Sequence, residues 1–351
     1  MGKCSNNIFL LTGSYFSFPK KRSFMIDLER LSKEKSSLID KELASVFGGN
    51  MPNLHDAIKY HLGTGGKRLR PLLSIATYEA LGGMDNKILP FAAACELFHN
   101  WCLLHDDIMD GDRVRRDRPA VWVKYGLAHG INVGDYMSQK VFELIINSRN
   151  CGVDDKTVLK LVDAMVTASV KTAEGQAMDI NMRSGSPKES DYMDMVMAKT
   201  GHYLTVPMVG AALVAGREEI IPKLVEFGSF IGPAFQIADD ILDLTEGKGR
   251  GEIGRDIKEG KKSILIIHCL GKCTGKEKAT LLKVLHKSPE ETTDAEVTLV
   301  VSLLNKYDSL DYAKKRAEEL KKKAYASIKK MPPELHETLK FFADYLVNRK
   351  K

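Results

Sequence analysis

The chain has 351 residues, and its 52 lysines and arginines exceed its 46 aspartates and glutamates by a formal net charge of +6. Hydrophobic residues make up 44% and charged residues 28%, which excludes a disordered or fibrous protein. The positive balance permits nucleic acid, an anionic membrane or a phosphorylated ligand as partner, so the placement of the charges has to decide among them.

The beginning of the chain differs from the rest in its pattern. Helical periodicity starts only near Met25, and the apolar run Ile8–Leu11 is too short for the core of a signal peptide. We therefore predict a disordered or misassigned leader over residues 1–24 and a single domain over residues 25–351.

The pattern predicts neither secretion nor a membrane span. The longest clean apolar run, Leu204–Gly216, is shorter than the roughly 18 residues of a transmembrane helix, so we expect no stable membrane insertion. The six cysteines show no paired or zinc-ligand spacing. We expect a cytoplasmic protein, because a reducing compartment is the usual one for such a chain.

Segments of helical periodicity follow one another along the chain, with breaks at Gly, Pro and Asn and without a strong strand signal. Val158–Glu174 and Val297–Lys306 have one apolar face, whereas Leu89–Asp110 and Lys223–Leu244 are apolar nearly all round. Helices of the second kind are typical of a buried centre. The sequence therefore predicts one all-α domain with two long apolar helices in its middle.

A glycine-opened basic turn, GGKRLRP at 65–71, precedes the first strongly apolar segments. It can present Arg as a bidentate ligand and Lys as a point charge to a phosphate. On its own the turn is a weak signal, because most basic loops are simply solvated.

Two matching acidic motifs, DDIMD at 106–110 and DDILD at 239–243, end the two apolar helical segments. At about 100° per residue, the first and fifth positions lie about 40° apart on one helix face. Exposed helix ends would explain one such motif, but two copies after buried helices indicate carboxylates that need a cation. Oxygen ligands alone favour Mg²⁺ or Mn²⁺ over Zn²⁺, so the two motifs could clamp a polyphosphate through shared metal ions.

Basic and imidazole groups accompany the first acidic motif. His99 lies about two helical turns before Asp106 and nearly on the same face, so a ligand role competes with an ordinary hydrogen-bonded core position. Several arginines follow the motif within eight residues, at 113, 115, 116 and 118. Such proximity indicates either ion pairs with the carboxylates or a shared anion.

Together these segments resemble the trans-isoprenyl diphosphate synthases, the polyprenyl synthetase family, from about Lys67 to about Ser263. The segments that carry the resemblance, in the family's order, are GGKRLRP at 65–71, ELFHNWCLLHDDIMD at 96–110, RRDRP at 115–119, INVGD at 131–135, EGQAMDI at 174–180, AKTGHYL at 198–204, FQIADDILDL at 235–244 and GRDIKEGKK at 254–262. The short first acidic motif is similar to that of the archaeal-type geranylgeranyl and farnesyl diphosphate synthases.

The resemblance implies an isoprenoid synthase type I fold, a single-domain bundle of about 10–14 helices around a deep central cavity. It implies a homodimer and about three Mg²⁺ ions, with Mn²⁺ possible. The implied metal ligands are Asp106, Asp107, Asp110, Asp239, Asp240 and Asp243. The implied ligands of the allylic diphosphate or of the departing charge are Arg115, Lys199, Thr200, Gln236 and Lys248. The implied ligands of isopentenyl diphosphate, which needs no metal, are Lys67, Arg70, His99 and Arg116.

The resemblance also assigns roles in the reaction. The residues given a catalytic role are Asp106, Asp107, Asp110, Arg115, Lys199, Thr200, Gln236 and Asp239. Gln176 and Asp179 match a motif that lines the cavity. Two departures from the family pattern stand out: Asp117 replaces a glycine, and Lys248 has an altered spacing, so that Arg255 could take its place.

The implied reaction is the 1'–4 head-to-tail condensation of isopentenyl diphosphate with an allylic diphosphate. The diphosphate group leaves the allylic substrate, the double bond of isopentenyl diphosphate attacks the allylic cation, and the departing pyrophosphate takes the proton, because these motifs contain no evident side-chain base. Water has to be kept from the cation. The residues expected to limit product length, about one turn before the first acidic motif and beyond, are Phe98, Trp101 and Cys102. The bulk of Trp101 favours a C20 product, geranylgeranyl diphosphate, with C15 farnesyl diphosphate as the alternative.

Three other functions compete with prenyl elongation. A class I terpene cyclase shares the first acidic motif but needs only one diphosphate site. A regulatory subunit of a heteromeric synthase should have lost aspartates, and none of the six is missing. A helical nucleic-acid binder would match the net charge alone and leaves both acidic motifs unexplained, so no nucleic-acid partner is expected.

Overall fold

The computed structural model describes residues 28–245 and 253–348. The leader predicted at 1–24 and the diphosphate ligand predicted at Lys248 lie outside the described residues. The described part contains sixteen α-helices, of which α5 and α11 have only five and four residues, and one two-stranded hairpin. The predicted all-α fold is confirmed.

The bounds of the elements follow the apolar segments of the sequence. The first seven helices are α1 (Leu28–Ser45), α2 (His55–Leu62), α3 (Leu69–Ala80), α4 (Leu89–Met109), α5 (Val121–Tyr125), α6 (Leu127–Asn147) and α7 (Asp155–Arg183). The remaining nine are α8 (Glu189–Val196), α9 (His202–Val214), α10 (Ile221–Thr245), α11 (Arg255–Lys258), α12 (Ile264–Lys272), α13 (Gly275–Leu285), α14 (Asp294–Lys306), α15 (Ser309–Ile328) and α16 (Pro333–Val347). The strands are β1 (Val114–Arg115) and β2 (Arg118–Pro119), and short 3-10 helices cover Ser148–Cys151 and Glu218–Ile220.

Helices α4 and α10 form the centre of the bundle, as the two apolar segments predict. Helix α4 packs against α1, α3 and α6, and α10 packs against α9 and α15. Both are surrounded by neighbours, which explains why apolar side chains cover most of their circumference. Each central helix has an acidic motif at its C-terminal end, so packing of the core sets the position of both motifs.

None of the helices in the described ranges combines the length and the apolar character that crossing a bilayer requires.

A π-helix, Met197–Gly201, joins α8 to α9 and carries Lys199 and Thr200. Two glycines, one on each of two neighbouring helices, lie directly against its backbone. A Cβ atom added to Gly175 of α7 would lie 2.2 Å from the backbone nitrogen of Lys199, and one added to Gly232 of α10 would lie 2.5 Å from Cα of Gly201. The backbones of α7 and α10 therefore touch the π-helix directly, and such local helix irregularities are frequent at functional sites.

The substitution Gly232→Ala tests this close approach. We expect it to lower the free energy of unfolding by about 1–3 kcal/mol, because the new methyl group meets backbone that cannot rotate away. Chemical denaturation measures the change. The matched control is Gly271→Ala in α12, where an added Cβ meets nothing within 4 Å and the higher helix propensity of alanine should preserve or raise stability. Equal stability of the two variants would contradict the close packing of α10 on the π-helix.

Candidate active site

One cavity of about 1000 Å³ opens among the central helices and brings most of the predicted site residues together. Both acidic motifs, the basic turn before α3 and the π-helix contribute to its wall. The predicted residues that line it are Lys67, Arg70, Phe98, His99, Trp101, Cys102, Asp106, Asp110, Arg115, Arg116, Lys199, Thr200, Gln236, Asp239 and Asp240, together with Gln176 and Asp179. Motifs as far apart in the sequence as Lys67 and Asp240 therefore share one space.

Two of the six predicted metal ligands are set back from the residues that line this cavity. Asp107 is 1% exposed and accepts a hydrogen bond from Nε of Arg115 at 2.7 Å. Asp243 is fully buried and accepts the backbone N–H of Asp256 at 3.1 Å. Each of these carboxylates thus anchors the chain that follows its own motif, and metal ligation by either stays a prediction.

The first acidic motif holds two carboxylates of different character at the cavity. Asp110 lies 2.6 Å from Nη2 of Arg183 and 3.0 Å from Nζ of Lys261. Burial opposes its ionisation, but Lys261, Lys199 and Arg183 hold the pKa of Asp110 well below its usual value. Burial raises the pKa of Asp106, which Lys199 lowers and the neighbouring Asp110 raises again. A half-buried carboxylate with a raised pKa favours added positive charge, so this donor set fits a divalent cation.

The second acidic motif is oriented by neutral donors. Both oxygens of Asp240 accept hydrogen bonds, from the hydroxyl of Tyr192 at 2.7 Å and from Nε2 of Gln236 at 3.0 Å. The other end of the Gln236 amide accepts the Thr200 hydroxyl at 2.9 Å. Burial and the neighbouring Asp240 raise the pKa of Tyr192 well above its usual value. These bonds fix the direction of the Asp240 carboxylate at the cavity wall.

Lys199 reaches the cavity from the π-helix as a charged group. Its Nζ lies 2.8 Å from Oδ2 of Asp179. Burial alone would lower the pKa of Lys199, but the carboxylates of Asp106 and Asp179 raise it above its usual value. The side chain therefore presents a full positive charge beside the first acidic motif.

The opposite part of the wall is basic and aromatic. Arg116 donates to the Thr64 hydroxyl at 3.1 Å and to the carbonyl of Gly65, so its guanidinium lies against the glycine turn. Arg70 lies over the ring of Tyr203, with its Cζ 4.1 Å from the ring centroid. This region offers positive charge for an anion.

His99 is neutral in this surrounding. Its Nδ1 lies 3.2 Å from the hydroxyl of Tyr203. Burial, with the charges of Arg70 and Arg116, holds the pKa of His99 well below its usual value. The imidazole can therefore take part in hydrogen bonding with an anion but adds no charge.

The hairpin β1–β2 explains the departure of RRDRP from the family pattern. Val114 pairs with Pro119 and Arg115 pairs with Arg118, and the two turn residues between them have φ angles of 52° at Arg116 and 58° at Asp117. Such a turn favours Gly, Asn or Asp, because these residues adopt the left-handed region at low cost. Asp117 thus preserves the turn that aims Arg115 and Arg116 at the cavity.

The sequence reasoning missed two lysines of the wall. Lys261 and Lys262 line the cavity. They belong to the segment GRDIKEGKK, for which the resemblance implies no individual role for either lysine. Lys262 is 2% exposed, and among the described residues its Nζ has no hydrogen-bond partner. Arg255, the alternative to Lys248, is directed elsewhere, since its Nε lies 3.0 Å from Asp112. The only available signal for these lysines was the pair of basic residues after a glycine.

Aromatic side chains line the cavity along α4. The Phe98 ring lies 5.5 Å from the Trp101 ring and 5.8 Å from the Tyr203 ring, and Trp101 donates from Nε1 to Nδ1 of His105 at 3.2 Å. The hydrogen bond fixes the indole in place. The cavity wall is therefore bulky one helical turn before Asp106, as predicted from the sequence.

The chain is similar in sequence and in structure to one group of known proteins. A model of the family described as polyprenyl synthetase matches residues 51–302. The chain is 36% identical over 319 residues to the geranylgeranyl diphosphate synthase of Sulfolobus acidocaldarius, covering 88% of this chain and 94% of that protein. The crystal structure of the geranylgeranyl pyrophosphate synthetase of Pyrococcus horikoshii matches with a TM-score of 0.82 at 32% identity, over 92% of this chain and 98% of that one. The polyprenyl synthase of Caulobacter crescentus, solved with calcium and isoprenyl diphosphate, matches with a TM-score of 0.82 at 26% identity, over 93% of this chain and 98% of that one.

Proposed function

Because the chain belongs to the polyprenyl synthetase family, we propose that it condenses isopentenyl diphosphate with allylic diphosphates to geranylgeranyl diphosphate. The observation that carries this proposal is that one cavity joins a carboxylate region to a separate basic region. Such a wall suits two bound diphosphates, one held through metal ions at the carboxylates and one held by basic side chains without metal. The relatives from Sulfolobus acidocaldarius and Pyrococcus horikoshii bear the name of this activity.

Magnesium fits the carboxylate region. Asp106, Asp110, Asp239 and Asp240 line the cavity, and the raised pKa of Asp106 favours an added cation. Bound Mg²⁺ would supply Lewis-acid stabilisation of charge on a diphosphate leaving group. We propose that these four carboxylates hold the ions, about three in number by the family pattern. Metal ligation by Asp107 and Asp243, the other two predicted ligands, remains a prediction.

The basic side chains next to these carboxylates would bind the allylic diphosphate. Arg115, Lys199 and Lys262 line the same region and can stabilise the negative charge that develops as the diphosphate leaves. The cation left behind needs protection from water, which the apolar wall around Phe98 and Trp101 supplies.

Isopentenyl diphosphate would occupy the basic region near the glycine turn. Lys67, Arg70 and Arg116 offer three positive charges, and neutral His99 offers a hydrogen-bonding group. No carboxylate of the two motifs needs to take part here, so this site should bind its diphosphate without metal. The reacting double bond would then face the allylic cation across one cavity.

The direct test is incubation of the protein with isopentenyl diphosphate, labelled dimethylallyl or farnesyl diphosphate and Mg²⁺. We expect elongated prenyl diphosphates, and we expect Asp240→Ala to lower the rate by at least about 100-fold, because it removes a group oriented at the reacting charge. The exposed Asp163→Ala on α7 is the matched control and should retain the rate. Thermal melting checks that both variants fold. Release of a hydrocarbon without elongation would indicate a terpene cyclase, and no product from the wild-type protein would contradict the proposal.

Product length gives a second test. Trp101→Ala should lengthen the main product beyond C20 by one or more five-carbon units, because it removes an indole from the cavity wall. Trp101→Phe, which keeps a ring there, is the matched control and should change the product less. Chromatography of the dephosphorylated products measures both. An unchanged product from Trp101→Ala would remove this residue from the length-limiting wall, and a wild-type C15 product would favour the farnesyl alternative.

We propose a homodimer that pairs through α6 and α7. Large apolar side chains are exposed at helical spacing on both helices, at Leu127 and Ile131 of α6 and at Val166 and Val170 of α7. Val170 is half exposed, and these residues leave apolar surface that a second copy of the chain could cover. We also propose that residues 25–351 form one domain and that the protein is cytoplasmic.

A further inference from the structure

We propose that Arg255 and Asp112 are positioning residues, whose buried ion pair holds the segment carrying Lys261 and Lys262 against the first acidic motif. The inference rests on the proposed function, because it assigns these lysines to the allylic-diphosphate region. Arg255 and Asp112 themselves are not among the residues that line the cavity. They would therefore act on a bound diphosphate only through their neighbours.

The pair joins two parts of the chain that are 143 positions apart. Asp112 lies just beyond the end of α4, and Arg255 begins α11. Nε of Arg255 lies 3.0 Å from Oδ1 of Asp112, and Nη2 of Arg255 donates to the carbonyl of Gly111 at 3.3 Å. Asp112 is 2% exposed, so the contact is shielded from solvent. A guanidinium can hold a carboxylate and a carbonyl at once, which a lysine cannot do in the same geometry.

Each residue of the pair is connected by further contacts to a basic side chain of the cavity wall. On one side, Oδ2 of Asp112 lies 3.4 Å from Nη2 of Arg115, which also binds Asp107. On the other side, Nε of Arg255 lies 3.0 Å from Oε1 of Glu259. The second oxygen of Glu259 lies 2.5 Å from Nζ of Lys261. The ion pair is thus the central link between Arg115 and Lys261.

Three buried carboxylates make this link necessary. Oxygens of Asp110, Asp112 and Glu259 lie within 4.8 Å of one another, and their repulsion is balanced by the arginine and lysine side chains that touch them. Without Arg255, the buried carboxylates of Asp112 and Glu259 would lose the cation that they share, and their mutual repulsion would be less well balanced. The expected response is separation of the α11 segment from α4, which would withdraw Lys261 and Lys262 from the cavity.

The test compares Arg255→Gln, Asp112→Asn, the double variant and Arg255→Lys. We expect Arg255→Gln to raise the KM of the allylic diphosphate about tenfold or more, with the KM of isopentenyl diphosphate changed less than about twofold. The double variant should lose less than the product of the two single losses, because it removes the charges of Arg255 and Asp112 together. Arg255→Lys should recover part of the loss. The matched control is Lys258→Gln on the same short helix, whose partner Asp294 is exposed.

Calorimetry with magnesium pyrophosphate supplies a readout that does not need turnover. The affinity of Arg255→Gln should fall by about the same factor as its KM rises, while that of Lys258→Gln should equal the wild-type value. Equal KM increases for both substrates, multiplicative losses in the double variant, or an unchanged pyrophosphate affinity would each overturn the inference. If Arg255→Gln fails to fold, the same KM values and pyrophosphate affinities are compared for Asp112→Asn and the double variant. A wild-type protein without elongation activity would refute the proposed function, while the calorimetric comparison would still test the ion pair.

Discussion

Repulsion among carboxylates clustered at the cavity wall is the constraint on which this structure depends. Asp106 and Asp110 end one central helix, Asp239 and Asp240 lie near the end of the other, and all four meet at one cavity. Packing of α4 and α10 in the core forces this arrangement, so their charges have to be balanced locally. Arginines and lysines from other elements supply part of the balance. A concentration of carboxylates of this kind is the property that suits the cavity to divalent cations.

The two regions of the wall differ in how charge is distributed, and that difference supports a two-substrate reaction. In the carboxylate region, Lys199 is held charged by the acidic groups around it. In the basic region, His99 is held neutral by burial and by neighbouring arginines. An anion can therefore bind to fixed cations in one region and to cations plus metal in the other. The apolar wall beyond them is where a growing prenyl chain would fit.

Much of this arrangement followed from the sequence, because helical spacing fixes which residues share a face. The two apolar segments became α4 and α10, and most of the predicted ligands line one cavity. Spacing could not reveal partners that are distant in sequence. The bond between Asp243 and the backbone of Asp256, the link between Asp112 and Arg255 and the buried position of Lys262 all depend on how α11 packs. The π-helix was equally hidden, since it results from close contact with Gly175 and Gly232 rather than from a local signal.

Calorimetric titration of the two diphosphates in the presence and absence of Mg²⁺ tests the central claim most directly. The account predicts that isopentenyl diphosphate binds with similar affinity in both conditions, because Lys67, Arg70 and Arg116 supply its charge. It predicts that an unreactive thio analogue of farnesyl diphosphate binds strongly only with Mg²⁺, because carboxylates form much of its site. Each chain should hold both ligands at once. Mutually exclusive binding, or equal metal dependence of the two ligands, would contradict a cavity with two distinct diphosphate regions.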